Sequence, residues 1–500
     1  MSVAADQFGT QSPAKLSLPQ SIEGEGLLVG WSLEKQPVHE AIGFSFGDRI
    51  DAAGRDALPI LLSGEGHLIT IAPTGAGKGI GCVVPALLRH QGPAIVIDPK
   101  GENAAITARR RRELGQQVCV LDPMGITGFD SAALNPLDLI DPMSATAVDE
   151  AHVLVNQLLL DLGGDPRNQF WQGRARQLLV GTLLHLLTDL PKEAHTLTHL
   201  RGMVNRAAGD AAGLVSALED SRHPEARNTG QLFGINAPET IGGIVAFAQE
   251  AIDFMRGPAV QAATARSSLD FDAITRGDPI TLYIVMPPHM LASHGRLLRL
   301  WVGALMTAIM RRRSRPERST LFVLDEAAQL GNFNELRQAV TLLRGYGLQT
   351  WSFWQDASQL QHLYPEDWPT MVNNSKVLQC FGANTLLAAR AMAQIVGHAD
   401  PVAVLALPPD EMLLQIAGDE AVVAKVPNYR LDPAFRHLFD GNPFHDKTAD
   451  PVGLPRTPLV EYVRPPRPAY RPVPSPSPVA GPPNAGDIQL SERILRELGD

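Results

Sequence analysis

A glycine-rich loop carrying one lysine is the strongest chemical signal in this sequence. The loop, Ala72-Pro-Thr-Gly-Ala-Gly-Lys-Gly79, follows the apolar run His67-Leu-Ile-Thr-Ile71 and precedes a second apolar run at 83–88. This order predicts a strand, a phosphate-binding turn and a helix, because glycines let successive backbone N–H groups converge on one anion. Lys78 adds a positive charge for the β- and γ-phosphates, and the helix adds its dipole. The alternative interpretation is a tight turn between a buried strand and a helix.

The loop departs from the usual phosphate-loop pattern at both ends. It begins with Ala72 in place of glycine, and Gly79 stands where a serine or threonine hydroxyl normally contacts Mg²⁺. A magnesium ion would therefore need another ligand or a water at this position. The residues that we expect to contact the nucleotide are Thr74, Gly75, Ala76, Gly77, Lys78, Gly79 and Ile80.

Two adjacent carboxylates form the second chemical signal. Asp325 and Glu326 directly follow the apolar run Thr320-Leu-Phe-Val-Leu324, which is typical of a buried strand with acids at its C-terminal end. Beside a phosphate loop, Asp325 would hold Mg²⁺, directly or through water, and Glu326 would polarise the attacking water. Two solvated acids at a strand end are the alternative, and the lysine loop in the same chain disfavours it.

Two further polar residues could complete a catalytic site. Gln355 ends another strand-like run and could reach the γ-phosphate or the attacking water, although a terminal glutamine is often only a surface residue. Arg344 follows the acid-tipped strand by one helix and could stabilise the transition state on a neighbouring subunit's nucleotide. A surface arginine at a helix C-terminus is the competing interpretation of Arg344. In the turn at 98–102, Lys100 and Glu102 could support the site or a subunit contact.

The bulk properties describe a soluble globular protein of 500 residues with a net charge of −10. This charge argues against nonspecific coating of DNA by the outer surface, but it allows a locally basic channel. No apolar run approaches the roughly 20 residues that span a bilayer, and no signal peptide is evident, which predicts a cytoplasmic protein. Three scattered cysteines predict buried thiols and neither a disulfide framework nor a zinc site. They are Cys82, Cys119 and Cys380.

The pattern along the chain predicts an α/β fold with a mainly parallel sheet and an inserted all-helical domain. Short, continuous apolar runs bounded by Gly, Pro or Asp indicate strands buried on both faces. These runs lie at 68–72, 94–98, 117–122, 279–286, 320–325, 348–353 and 377–381. Between 144 and 266 the strand signals stop and helical periodicity replaces them. Helices packed as an extra layer on the sheet are the alternative.

These patterns give five segments. We expect an N-terminal segment at 1–55, a discontinuous nucleotide-binding motor domain at 56–143 and 267–446, and the inserted helical domain at 144–266. A proline-rich, extended linker follows at 447–486. Residues 487–500 would form a short amphipathic helix that docks on a partner, or a solvated tail.

From about Gly66 to Asp440, the chain resembles the TraG-like coupling ATPases of type IV secretion and conjugation. Each motif is weak alone, but their order and spacing are specific. The motifs are APTGAGKG at 72–79, VVPALL at 83–88, VIDPKGEN at 96–103, VLDP at 120–123, NPLD at 135–138, FW at 170–171, ITLYIVMPP at 280–288, VLDEAAQLG at 323–331, RGYGLQTWSFWQD at 344–356, FGAN at 381–384 and LPPDEM at 407–412. Departures such as Ala72 and Gly79 are usual for this family.

The resemblance implies a RecA-like P-loop ATPase domain that binds ATP and Mg²⁺. By motif position, the family's roles fall on Lys78 for phosphate, Asp325 for magnesium, Glu326 for water, Gln355 as sensor and Arg344 as the arginine acting in trans. Such proteins are thought to form hexameric rings that pass DNA or nucleoprotein to a secretion channel. The helical domain would then face the relaxosome or the incoming substrate.

One departure affects the expected location. Family members commonly begin with transmembrane helices, which this sequence lacks. We therefore expect a soluble subgroup, a separate membrane partner or a truncated chain, placed peripherally at the inner face of the bacterial plasma membrane. Two other functions stay open: a coupling protein that delivers protein effectors, and a related ring-shaped DNA translocase that works inside the cell.

Overall fold

The computed structural model describes residues 17–33, 57–159, 166–234, 238–398 and 400–445. All of these residues belong to one compact unit. Most of the expected N-terminal segment, the whole expected linker at 447–486 and the expected C-terminal helix at 487–500 lie outside the described residues. The domain boundaries given above therefore stay predictions.

One sheet of eleven strands runs through the described part of the chain, in the order β2-β1-β11-β10-β9-β3-β8-β7-β4-β6-β5. The seven strands from β9 to β5 are all parallel, and β10, β11, β1 and β2 extend the sheet in antiparallel fashion. The strands are β1 (Leu27–Ser32), β2 (Pro59–Leu62), β3 (His67–Ile71), β4 (Ala94–Ile97), β5 (Gln117–Leu121), β6 (Ile280–Ile284), β7 (Thr320–Leu324), β8 (Leu348–Trp354), β9 (Ser375–Phe381), β10 (Glu411–Ile416) and β11 (Val422–Lys425). All seven parallel strands lie where the sequence predicts them, whereas the antiparallel extension was largely missed.

Helices cover both faces of the parallel strands and fill the chain between β5 and β6. They are α1 (Val84–Arg89), α2 (Glu102–Glu113), α3 (Ala147–Leu158), α4 (Pro166–Asp189), α5 (Leu197–Ala207), α6 (Ala211–Glu219), α7 (Pro224–Gly234), α8 (Pro238–Ile252), α9 (Pro258–Ala263), α10 (Phe271–Arg276), α11 (Pro288–Met310), α12 (Asn334–Leu342), α13 (Ala357–Leu363), α14 (Trp368–Asn373), α15 (Leu386–Val396) and α16 (Pro401–Leu405). No strand lies between β5 and β6 among the described residues. The predicted fold class, an α/β fold with an inserted all-α region, is confirmed.

Burial on both faces explains why the central strands are continuously apolar. In β7, Phe322 and Leu324 contribute to one hydrophobic core, and Leu321 and Val323 contribute to the core on the opposite face. The order β3-β8-β7-β4 then brings four parallel strand ends together at one edge of the sheet. In open α/β sheets, ligands bind beyond the carboxyl ends of the strands, so this edge is the place to look for a site.

A polar contact joins the helical region to a helix beside the sheet. Gln157 of α3 is almost fully buried, and its Nε2 donates to Glu335 Oε1 of α12 at 3.2 Å. A Cβ at Gly303 of α11 would lie 2.3 Å from the Gln157 side chain, so the glycine makes room for the amide. This contact joins α3 to the helix that follows the acid-tipped strand β7.

A second polar cluster closes the helical region itself. Asp189, the last residue of α4, accepts hydrogen bonds from Ser221 Oγ and from Arg222 Nε at 2.8 Å, and lies 2.9 Å from His185 Nδ1. Burial opposes ionisation of Asp189, but the hydrogen bonds from Ser221 and Arg222 outweigh it and lower the pKa of this carboxyl to about 2. Ionised Asp189 therefore stabilises the connection between α4 and the turn before α7.

We expect Asp189→Asn to lower the free energy of unfolding by about 1–3 kcal/mol at pH 7, because it weakens charge-assisted hydrogen bonds. The pKa of Asp189 is depressed from 3.8 to about 2, so its stabilisation is complete above the unfolded value and is lost as the pH falls. The difference between wild type and variant should shrink between pH 5 and pH 3. Urea unfolding followed by circular dichroism measures it, with exposed Asp220→Asn as control. A pH-independent difference would contradict the assignment.

Candidate nucleotide-binding site

The glycine-rich loop leaves β3 and adopts a conformation that needs glycine at two positions. Ala72 N donates to Trp354 O at 2.8 Å, which anchors the loop to β8. Gly75 has a φ of 83° and Gly77 a φ of 87°, values that L side chains rarely adopt. A Cβ at either position meets no atom within 4 Å. Glycine is therefore required by the backbone angle and not by a lack of space. Gly79 begins a short π-helical turn that leads into α1.

Lys78 lies between the two predicted carboxylates. Its Nζ is 3.1 Å from Asp325 Oδ1, and it also donates a hydrogen bond to Glu326 Oε1. Burial lowers the pKa of Lys78, but the charges of Asp325 and Glu326 outweigh burial and raise the pKa above its ordinary value. The lysine is therefore a permanent cation at physiological pH, as a phosphate ligand must be.

Glu326 is held in a strained backbone conformation at the end of β7. Its φ of 72° and ψ of 58° place a non-glycine residue in the left-handed region, which costs about 1–2 kcal/mol. Gln355 Nε2 donates to Glu326 Oε2 at 2.8 Å, and Lys78 binds the other oxygen of the same carboxylate. Strain of this kind persists only where the surroundings fix it, and it is concentrated at functional sites.

Asp325 has a buried oxygen that faces the Lys78 ammonium. Its Oδ1 is buried and accepts no hydrogen bond, although Lys78 Nζ is nearby. Burial raises the pKa of Asp325, and the Lys78 charge opposes that effect. No group of three or more His, Cys, Asp or Glu side chains that could hold a metal occurs among the described residues. Mg²⁺ ordinarily takes one or two carboxylates together with substrate phosphates and waters, so the donors present at this site fit magnesium.

Arg344 lies away from this cluster. Four of the five residues to which sequence analysis assigned separate roles come together at the C-terminal edge of the sheet, but Arg344 is an exposed residue just before the first residue of β8. The strand has seven residues. At about 3.3 Å per residue, Arg344 is roughly 20 Å from Gln355. This distance argues against an action of Arg344 on the nucleotide of its own chain, so the role in trans and the surface arginine both stay predictions.

Sequence analysis missed two buried polar residues of the site. Asp98 follows β4, and its neighbour Asn103 lies in the first turn of α2; both are buried. Since Ile97 pairs with Leu324, Asp98 and Asp325 follow directly at the ends of neighbouring strands. Burial, together with the Asp325 charge, raises the pKa of Asp98 to about 7. The sequence signal that could have identified Asp98 is its position directly after the apolar run at 94–97.

A buried hydrogen-bond network supports the loop from below. Gln379 Oε1 accepts from Thr70 Oγ1 at 2.6 Å and from Cys82 Sγ at 3.5 Å, and Gln379 Nε2 donates to Val29 O at 2.8 Å. The network joins the helical turn after the loop to β9 and to β1 in the antiparallel extension. Cys82 is buried and free, as are Cys119 and Cys380, which confirms the predicted buried thiols.

The family that matches this chain is described as type IV secretory system conjugative DNA transfer, over residues 21–399. The chain belongs to this family. Similar curated proteins are conjugal transfer protein TraG of Escherichia coli, 28% identical over 356 residues that cover 67% of this chain and 55% of the relative, and TraG of Agrobacterium fabrum, 25% identical over 71% of this chain and 58% of the relative. The chain thus spans about half the length of the curated relatives it matches.

Solved structures show the same fold. The bacterial conjugative coupling protein TrwB, unbound, aligns with a TM-score of 0.59 and 17% identity over 74% of this chain and 87% of that chain. TrwB in complex with ADP and Mg²⁺ aligns with a TM-score of 0.57 and 17% identity over 74% and 88%. The predicted fold is confirmed by these likenesses. None of the helices among the described residues has the length and apolar character to cross a membrane.

The loop geometry predicts different effects for two neighbouring glycines. Gly77→Ala should weaken ATP binding about tenfold, because roughly 1–2 kcal/mol of strain opposes the left-handed φ and turns the loop amides away. Gly79→Ala should stay within about threefold of wild type, since Gly79 has no positive φ and a Cβ there meets no atom within 4 Å. Titration with a fluorescent ATP analogue measures both affinities. Equal affinities for the two variants would refute the loop assignment.

Proposed function

We propose that the protein is a coupling ATPase of type IV secretion, which uses ATP hydrolysis to recruit DNA or nucleoprotein and move it to the secretion channel. The observation that carries the proposal is the cluster of Lys78, Asp325, Glu326 and Gln355 on three adjacent strand ends. The family to which the chain belongs and the names of its relatives support the transport role.

The side chains of the cluster divide the work of hydrolysis. The loop amides from Thr74 to Ile80 and the Lys78 ammonium bind the phosphates of ATP. Asp325 would hold Mg²⁺, which supplies charge neutralisation on the phosphate oxygens. When Lys78 turns to phosphate, the Glu326 carboxylate is released from its ion pair and can accept a proton from the attacking water. Gln355, which bonds Glu326, senses this change and passes it to β8.

A groove in the helical region favours nucleic acid as the transported substrate. The groove, of about 540 Å³ between α3 and α4, contains no acidic side chain among the described residues that line it, although the whole chain is acidic. Phe170 is 49% exposed there, and the Arg174 guanidinium lies 5.6 Å from the centre of its ring. Exposed aromatic rings beside cations stack bases and neutralise phosphates of single strands. The lining residues are His152, Asn156, Gln169, Phe170, Gly173, Arg174, Arg176 and Gln177.

The proposed assembly is a homohexameric ring at the inner face of the plasma membrane. Its partners would be a relaxosome, components of the secretion channel and a separate membrane protein. Arg344 lies roughly 20 Å from Gln355 along β8, so in such a ring it would act on a neighbour's nucleotide and not on its own.

The experiment that tests the function is steady-state ATPase activity with single-stranded DNA, with double-stranded DNA and without DNA, at two salt concentrations. A nucleic-acid motor should be stimulated several-fold by DNA, and the stimulation should fall with salt, because phosphate contacts release counterions. Lys78→Ala is the control and should show no turnover. ATPase activity that does not change when DNA is added would overturn the proposal and favour delivery of protein effectors.

Arg344→Ala should abolish most of the ATPase activity of assembled protein while leaving ATP affinity unchanged. An arginine acting in trans contributes about 10³-fold or more to the rate, and it does not bind the ground state of its own chain. Mixing Arg344→Ala with Lys78→Ala should restore part of the activity, since each chain supplies what the other lacks at a shared interface. No recovery in the mixture would contradict the role in trans.

Phe170→Ala and Arg174→Ala should each weaken binding of an oligothymidine about five- to tenfold, because one base loses its stacking platform or one phosphate loses its cation. In the Arg174 variant, the slope of the logarithm of the binding constant against the logarithm of the salt concentration should also be smaller by about one. Arg206→Ala, which removes an exposed arginine from α5 of the same helical region, is the matched control. Fluorescence anisotropy measures these affinities, and equal losses for all three variants would refute the groove.

A further inference from the structure

Gln379 connects the two ends of the phosphate loop through one side chain. It lies in β9 directly beside Thr70 of β3, the strand from which the loop leaves. Its Oε1 accepts a hydrogen bond from Thr70 Oγ1 at 2.6 Å, before the loop, and another from Cys82 Sγ at 3.5 Å, in the turn that follows the loop. The strand before the loop and the helical turn after it therefore share one acceptor.

The partners of the Gln379 amide allow only one orientation of it. Val29 O can only accept, so the atom that contacts it at 2.8 Å is the amide nitrogen, and the amide oxygen faces Thr70 and Cys82. The Trp351 indole can only donate, and it donates to Thr70 Oγ1 at 2.8 Å, which directs the threonine proton to Gln379. Burial raises the pKa of the Cys82 thiol, so the thiol stays a donor at neutral pH. Each of these hydrogen bonds therefore has a defined donor.

Burial makes this network resistant to distortion. Gln379 and Cys82 are each 1% exposed, and Thr70 is fully buried. A buried hydrogen bond is costly to break without replacement, because no water takes the place of the lost partner. The amide therefore opposes any change in the distance between the strand before the loop and the turn after it.

The turn that contains Cys82 has an unusual form. Gly79–Val83 is a π-helical turn, and Val84 N donates to Gly79 O. Such turns are rare and occur frequently at functional sites. Gly79 and Ile80, whose N–H groups we expect to meet phosphate, begin this turn. A contact that fixes Cys82 therefore also fixes the amides at the end of the loop.

We propose that Gln379 is a positioning residue, which sets the distance between the two ends of the phosphate loop and so holds the amides of Gly79 and Ile80 in place for the nucleotide phosphates. None of its hydrogen bonds among the described residues reaches Glu326 or Gln355, so Gln379 should affect nucleotide binding and not the chemical step. This inference rests on the proposed function only in requiring that the loop binds nucleotide phosphates.

The test measures the steady-state ATPase activity of the protein against ATP concentration, together with the affinity for a fluorescent ADP analogue. Gln379→Met keeps the length of the side chain and removes both hydrogen-bonding groups of the amide. It should raise the KM for ATP and the dissociation constant of the ADP analogue about fivefold, as expected for the loss of one buried hydrogen bond. The kcat should stay within about twofold of wild type, because weaker binding of ground state and transition state alike changes KM alone.

Gln349→Met is the matched structural control. Gln349 lies near the start of β8, at the opposite end of the sheet from the loop. It is 3% exposed, and its Nε2 donates to Gly66 O at 2.9 Å. Removing this amide should lower the unfolding temperature about as much as Gln379→Met, but KM and the ADP affinity should stay within about twofold of wild type.

Cys82→Ala tests the connection from the amide to the loop and keeps the contacts of Gln379 with Thr70 and Val29. Because a thiol is a weak donor, this variant should raise the dissociation constant of the ADP analogue about twofold. In the Cys82→Ala background, Gln379→Met should weaken nucleotide binding less than it does in wild type, since the two changes interrupt the same connection.

Three outcomes would overturn the inference: nucleotide affinities of Gln379→Met that match those of Gln349→Met, a fall in kcat with an unchanged KM, or full additivity of Gln379→Met and Cys82→Ala. If Gln379→Met does not fold, wild-type ADP affinity in Cys82→Ala overturns it, and so does a wild-type protein that binds no nucleotide. The transport function would fail differently. ATPase activity that DNA does not change, or no turnover at all, would still leave the ADP affinities to decide the role of Gln379.

Discussion

The structure of the site depends on the compensation of acidic charge at the ends of adjacent parallel strands. Asp98, Asp325 and Glu326 lie there because β4 and β7 are neighbours, and buried like charges repel each other in a medium of low polarity. Lys78 supplies the opposing charge from β3, two strands away from β7 in the sheet. The lysine of the loop and the three carboxylates therefore form a single electrostatic unit, which the order of the strands brings together.

This unit explains the polar residues around it. Gln355 and Lys78 hold the two oxygens of Glu326, which stabilises a left-handed backbone that glutamate rarely adopts. On the other side, the Asn103 amide donates a hydrogen bond to Asp98. In the proposed function, Lys78 would exchange carboxylate for phosphate and each of these contacts would adjust. Binding of ATP would then be coupled to the end of β8 and to the segment after Glu326.

That segment leads directly to the helical region. A short turn after Glu326 enters α12, where Glu335 accepts the hydrogen bond from Gln157 of α3. Because Gln157 fits a gap left by Gly303, movement of α12 or α11 acts on α3, one wall of the groove that contains Phe170. In the proposed motor, ATP hydrolysis and substrate binding in the groove would thus be linked through the buried Gln157 amide.

The sequence by itself determined the strands of the parallel sheet, the all-helical insertion and the four polar residues that meet at the edge of the sheet, because their signals are local. The spacing of hydrophobic residues, the placement of glycines and the acids that follow apolar runs can all be recognised from neighbouring residues in the sequence. Only the tertiary structure decided the sheet order, the antiparallel extension and the position of Asp98 beside Asp325. Those depend on which strands become neighbours, and strand pairing between distant segments leaves no local trace. Asp98 shows the limit: its position after a strand was visible, but its partner across the sheet was not.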